Sequence, residues 1–100
     1  MPWTFLSSHG IVLLVIARDT AIRLRDIALH VGITERAVQK IVADLVAAGY
    51  LTRRRIGRRN IYELHGEVHM RHPTTRHLEV GALMAALKSA YPADSGSAGP

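Results

Sequence analysis

The chain has 100 residues, 48% of them hydrophobic, and a formal net charge of +5, which is the profile of one ordinary globular domain with a polyanionic partner. With no cysteine in it, disulfides, thiolate metal sites and cysteine nucleophiles are excluded together. No glycine-rich phosphate loop, paired catalytic carboxylates or nucleophile motif is present in the sequence, so an enzyme is not expected.

Trp3 and Phe5 come before the first predicted element and are expected to cover a core edge or a partner surface. Ser7 and Ser8 are good N-caps for a first helix through Ile11–Arg18, because a short hydroxyl side chain can accept a backbone N–H that the first turn leaves unpaired. The run IVLLVIA (11–17) has no Lys or Arg before it, as a secretory signal requires, and is far short of the ~20 residues of a bilayer span. It therefore reads as a buried core helix, and the protein as cytoplasmic, with no membrane partner.

Residues 23–51, RLRDIALHVGITERAVQKIVADLVAAGYL, are the most informative. Leu24, Ile27, Ala28 and Val31 recur at helical spacing, and Gly32 stops the run with the left-handed backbone that a tight turn needs. Ile33 follows as an expected buried plug, and Thr34 caps the next helix. That helix, 34–48, places Val38, Ile41, Val42 and Leu45 on one stripe and turns Arg36, Gln39, Lys40 and Ala43 away from it. Gly49 closes it.

YLTRRRIGRRNIYEL (50–64) reads as a β-hairpin. Two runs of branched and aromatic residues flank GRRN, where Gly57 and Asn60 are expected to take turn geometry, with Arg58 and Arg59 at the exposed tip. Leu51, Tyr62 and Leu64 are the expected inward contacts. HGEVHMRHPTTRH (65–77) then holds four of the six histidines, and its Gly66 and Pro73 mark a connector in place of a continuous helix. LEVGALMAALKSAY (78–91) is a last amphipathic helix, with Leu78, Leu83, Met84 and Leu87 set to pack on the core or on a second subunit. PADSGSAGP (92–100) is a polar tail with nothing to bury, expected disordered. The fold class is mainly α with a small β-hairpin, in one domain over 1–91.

The positive charge is concentrated. Residues 34–59 hold Arg36, Lys40, Arg53, Arg54, Arg55, Arg58 and Arg59 against Glu35 and Asp44, and seven less two is the whole +5 of the chain. Such localisation is what a face for a polyanion produces.

Ala28, Gly32, Val38 and Ile41 stand at helix-turn-helix spacing. A small residue lets two helices cross closely, Gly makes the turn, and two branched residues fix the second helix on the first. The basic hairpin directly after that helix makes the unit a winged helix-turn-helix. Over roughly residues 8–64, in LRDIALHVGITERAVQKIVADLVAAGYLTRRRIGRRNIY, the sequence resembles the small winged-helix transcriptional regulators, closest to the MarR-like group. Arg23 departs from the pattern, standing where that family usually offers a Ser or Thr cap.

The resemblance implies a sequence-specific double-stranded DNA-binding regulator whose recognition helix enters the major groove. Arg36, Gln39 and Lys40, with Glu35 beside them, would then face base edges, Arg36 forking onto guanine and Gln39 onto adenine. Thr34 and the N-terminal amides of its helix would suit a phosphate. The wing, with Arg53, Arg54, Arg55, Arg58, Arg59 and Asn60, would grip backbone and reach toward the minor groove. A homodimer through the N- and C-terminal helices, on a two-fold-related site, goes with this reading; a metal or cofactor does not. Two alternatives stay open: a winged-helix adaptor for another protein, and a metal-responsive regulator that uses the imidazoles of His65, His69, His72 and His77.

Overall fold

Capping chemistry sets where the helices start and stop. The computed structural model describes residues 3–89, and among them the order is α1 (Ser8–Arg18), α2 (Leu24–Val31), α3 (Glu35–Ala47), β1 (Leu51–Ile56), β2 (Arg59–Leu64) and α4 (Val80–Ser89). The fold is the mainly α winged helix-turn-helix that the sequence predicts, with one two-stranded antiparallel sheet among the described residues. The chain divides into two compact units between Leu64 and His65.

In the first unit, Ser7 Oγ accepts the Gly10 amide at 3.2 Å and starts α1. At the other end the Asp19 amide donates to the Ile16 and Val15 carbonyls, at 3.1 and 3.2 Å. The next helix, α2, starts after Arg23 with no side-chain cap, as the sequence suggests. It ends at Gly32, whose φ of 82° is a left-handed conformation that a Cβ would strain. The Gly32 and Ile33 amides both donate to the Ala28 carbonyl, at 2.8 and 3.2 Å. Ile33 is half-buried, less enclosed than the plug expected there. Thr34 Oγ1 then accepts the Ala37 amide at 3.0 Å and launches α3.

Val12, Leu13 and Ile16 of α1 are buried with Ile27 and Ala28 of α2, and with Val38, Ile41, Val42 and Leu45 of α3. Each of the three helices packs on the other two, and α3 also adjoins β1, whose Leu51 is buried, as is Tyr62 of β2. A polar tether joins the first and third helices: His9 Nε2 lies 2.8 Å from Asp44 Oδ2, and Lys40 Nζ 3.5 Å from Asp44 Oδ1. The hydrogen bond to His9, followed by the Lys40 charge, holds the Asp44 carboxyl below its ordinary pKa. Trp3 and Phe5 cover no core edge. They are 63% and 95% exposed and pack edge to face on each other, with ring centroids 5.3 Å apart.

The second unit begins with the histidine-rich segment, which doubles back on itself. Val80 donates to the Val68 carbonyl at 2.8 Å, Met70 to Leu78 at 2.9 Å, and His69 bridges Glu79 in antiparallel fashion. The Leu78 amide closes a turn onto the Thr75 carbonyl and Glu79 is held in the bridge, so the helix expected from residue 78 begins at Val80 and leaves Leu78 outside it, exposed. Gly66 and Gly81 meet where the segment crosses the helix start. A Cβ on Gly81 would sit 2.9 Å from the Gly66 Cα, and only two glycines let the backbones approach so closely. Residues 90 and 91 of the predicted helix, and the tail predicted at 92–100, lie outside the described residues.

Two stability measurements follow from this packing. Ile27→Ala, at a fully buried position, is expected to cost about 2–5 kcal/mol in urea unfolding. Leu29→Ala, two positions on and exposed, is expected to stay within about 0.5 kcal/mol of the parent; equal losses would contradict the assigned helix face. The lowered pKa of Asp44 has a defined sign. Its stabilisation is complete above the unfolded-state value near 3.8 and is lost as pH falls through the lower folded-state value. Asp44→Asn should therefore be less stable than the parent at pH 7, and the gap should close as the acid limb is descended. A gap that persists in strong acid would place the effect elsewhere.

Candidate nucleic-acid interface

The buried stripe of α3 decides what the helix displays. With Val38, Ile41, Val42 and Leu45 inward, Glu35, Arg36, Gln39, Lys40 and Ala43 are all exposed, because positions three and four apart share a face and those between them do not. Arg36 and Gln39 are one turn apart, and each carries paired polar atoms suited to a base edge. Lys40 leans on Asp44 through the 3.5 Å contact yet keeps its ammonium largely in solvent. Thr34 Oγ1 is used as the cap acceptor, which leaves its hydroxyl proton to donate outward. Glu35, in the first turn, has the sign that the helix dipole favours there.

The hairpin register sorts the wing into two faces. Leu51 pairs with Leu64, Arg53 with Tyr62 and Arg55 with Asn60, so one face is apolar at its root and basic toward its end. The other face carries Thr52 opposite Glu63, Arg54 opposite Ile61, and Ile56 opposite Arg59. This register corrects the predicted tip. The loop is only Gly57 and Arg58, because Ile56 and Arg59 already pair across it. Gly57 has a φ of 63° and Arg58 no positive φ, the type II′ pattern with Gly at the first central position. Asn60 is thus a strand residue opposite Arg55, since a two-residue turn matches the strand twist and leaves no room for it in the loop.

The five wing arginines have different surroundings. Arg53, Arg54, Arg55, Arg58 and Arg59 are all exposed. Arg55 Nε donates weakly to the Gly57 carbonyl at 3.4 Å. Arg59 Nη2 donates to the Ala21 carbonyl, in the turn between α1 and α2. At the tip, Ile56 is 58% exposed beside Arg58. The Tyr62 hydroxyl at the wing root is buried and has no hydrogen-bond partner among the described residues; Asn60 approaches it without completing a bond. Burial raises the Tyr62 pKa, and the Arg53 charge opposite it counters part of that rise.

Between the wing and the start of α2 lies an open groove of about 550 Å³, lined by Arg23, Arg25, Arg58 and Arg59 together with Asp26 and Glu35. Arg23 and Arg25 are functional candidates that charge counting along the chain overlooks, because they lie outside the basic 34–59 stretch. Their signal is positional: they open the first helix of the helix-turn-helix, whose start faces the same side as the wing.

The histidine-rich segment provides no comparable site. His69 Nδ1 donates to the Arg76 carbonyl at 2.7 Å, and His72 Nδ1 accepts the Thr74 amide at 3.1 Å. His65 Nδ1 is 4.0 Å from a Glu67 oxygen. No three His, Cys, Asp or Glu side chains among the described residues are gathered as a metal site needs, and no described helix is long and apolar enough to cross a membrane.

Comparison with known proteins agrees with the fold. The chain has the fold of the PcaV transcriptional regulator from Streptomyces coelicolor, known from a crystal structure in complex with its natural ligand. The two share 20% sequence identity at a TM-score of 0.56, and the match covers 93% of this chain and 67% of that one. No curated protein matches it. A profile of the MarR family matches residues 4–58, from the segment before α1 to the wing tip. With more than half of its length matched and the winged helix-turn-helix in place, the chain belongs to the MarR family of transcriptional regulators.

Proposed function

We propose that this regulator is a sequence-specific double-stranded DNA-binding protein of the cytoplasm, a binding protein and not an enzyme, with residues 1–91 acting as one functional domain. The observation that carries the reading is the outward row Arg36, Gln39 and Lys40, opposite the buried stripe of α3. In the proposed mode α3 lies in the major groove. Arg36 forks onto guanine O6/N7 and Gln39 onto adenine N6/N7, while Lys40 and Glu35 bias the choice between neighbouring bases. The Thr34 hydroxyl and the first amides of α3 meet a phosphate. Arg53, Arg54, Arg55 and Arg58 supply backbone contacts, with Arg59 and Asn60 at the rim of the groove beside the wing. The same excess of arginine over carboxylate favours a polyanion over a neutral protein partner.

The regulator is proposed to act as a homodimer through its N- and C-terminal helices, which matches two half-sites to a two-fold axis. The exposed Trp3 and Phe5, directly before α1, supply apolar area for such an interface.

Binding to labelled DNA over a salt series tests the reading. The observed affinity should fall with log[salt] at about 0.9 per phosphate contacted, and Arg58→Ala should lower that slope by about one contact. Sequencing the genomic fragments that the protein retains gives the preferred site. Against that site, Arg36→Ala or Gln39→Ala should lose about 1–3 kcal/mol of discrimination at one base position and little non-specific affinity. A protein that retains no mixed genomic DNA at low salt would overturn the assignment.

A further inference from the structure

A two-stranded ribbon is marginal on its own in water, so something at its root must set the angle of the wing. The structure supplies a seam on the outer edge of β2. The Tyr62 amide donates to the Thr20 carbonyl at 2.9 Å, and Arg59 Nη2 donates to the neighbouring Ala21 carbonyl. That acceptor turn is itself braced. Asp19 Oδ1 accepts the Ala21 amide at 3.1 Å, and the Asp19 carbonyl accepts the Ile22 amide at 3.1 Å, an arrangement by which an Asp side chain stabilises a tight turn. Arg58, one residue from Arg59, meets no acceptor among the described residues. Two adjacent arginines of identical chemistry thus have unlike surroundings, one pointing to solvent and the other hooked onto the turn between α1 and α2.

We infer that Arg59 and Asp19 are positioning residues: Asp19 presents the Ala21 carbonyl, Arg59 fastens the wing to it, and the seam fixes where Arg58 meets the DNA backbone. The inference rests on the DNA-binding reading for affinity only; the seam itself can be read without DNA. For Asp19 the inference and simple electrostatics predict opposite signs. Removing an acid from a protein that binds a polyanion strengthens attraction, whereas removing the brace of a binding element weakens it.

The test compares the full chain with Arg58→Ala, Arg59→Ala and Asp19→Ala. It measures affinity for a mixed-sequence duplex across a salt series, and amide hydrogen exchange in the absence of DNA. Arg59→Ala and Asp19→Ala are each expected to raise Kd about three- to tenfold at unchanged salt slope, and to speed exchange of the Tyr62 amide. Arg58→Ala is expected to lower the slope by about 0.9 with Tyr62 exchange as in the parent. A slope loss of about 0.9 in Arg59→Ala would make it a phosphate contact and overturn the inference. So would tighter binding by Asp19→Ala, or unaltered Tyr62 exchange in both variants. If the parent retains no duplex, the DNA-binding reading fails, and the exchange measurement alone still decides whether Arg59 and Asp19 hold the seam.

Discussion

Burial of one stripe of α3 is the constraint on which the rest depends. Val38, Ile41, Val42 and Leu45 are buried, and α3 packs on both preceding helices. Fully burying side chains of this kind contributes roughly 1.5–3 kcal/mol each, which far exceeds any preference of the polar residues between them. The helix therefore has one rotational setting, and in that setting Arg36, Gln39 and Lys40 face solvent. Hydrophobic packing on one side becomes a display of hydrogen-bonding groups on the other. A rotation of the stripe by one residue would bury Lys40 and Asp44 in one direction or the Gln39 amide in the other, each a desolvation cost that the present setting avoids.

The wing follows from the same helix by a different route. Its root is tied to the core through Leu51 and Tyr62, both buried, while the apolar side chains of its distal half are the exposed Ile56 and the half-buried Ile61. Packing thus holds the base, and hydrogen bonds from Arg59 and Tyr62 to the turn at residues 20–21 hold the edge. The charges on its distal half are exposed because solvation of guanidinium is easiest there. The resulting groove beside the wing gathers Arg23 and Arg25 with Arg58 and Arg59, residues more than thirty positions apart in the chain. Two acids, Asp26 and Glu35, share its lining and keep it from being uniformly positive.

The histidine-rich segment shows how composition and geometry can point in different directions. Four imidazoles within thirteen residues suggest a ligand set, yet the backbone between them is spent on turns and on antiparallel pairing with residues 78–80. His69 and His72 satisfy backbone groups in those turns. The close crossing of Gly66 and Gly81 also constrains the path of the segment.

Helix positions, caps and faces were legible in the sequence because each depends on residues within about one turn of one another. Thr34 caps three residues on, Gly32 ends a helix by its own backbone freedom, and the stripe of α3 repeats every three or four positions. The basic hairpin was legible for the same reason, through β-branched runs around a glycine. The turn register was not, since Gly57 and Asn60 both tolerate turn backbone, and only strand pairing selects the two-residue loop. Nor was the start of α4, where a bridge to His69 competes with helix formation at Leu78 and Glu79. The sequence by itself determined the class of fold, the outward face of α3 and the location of the charge. Only the tertiary structure decided that Arg59 is fastened to Ala21, that Trp3 and Phe5 stand exposed, and that Arg23 and Arg25 line one groove with Arg58 and Arg59. Those outcomes depend on distances between residues remote in the chain, which no local pattern encodes.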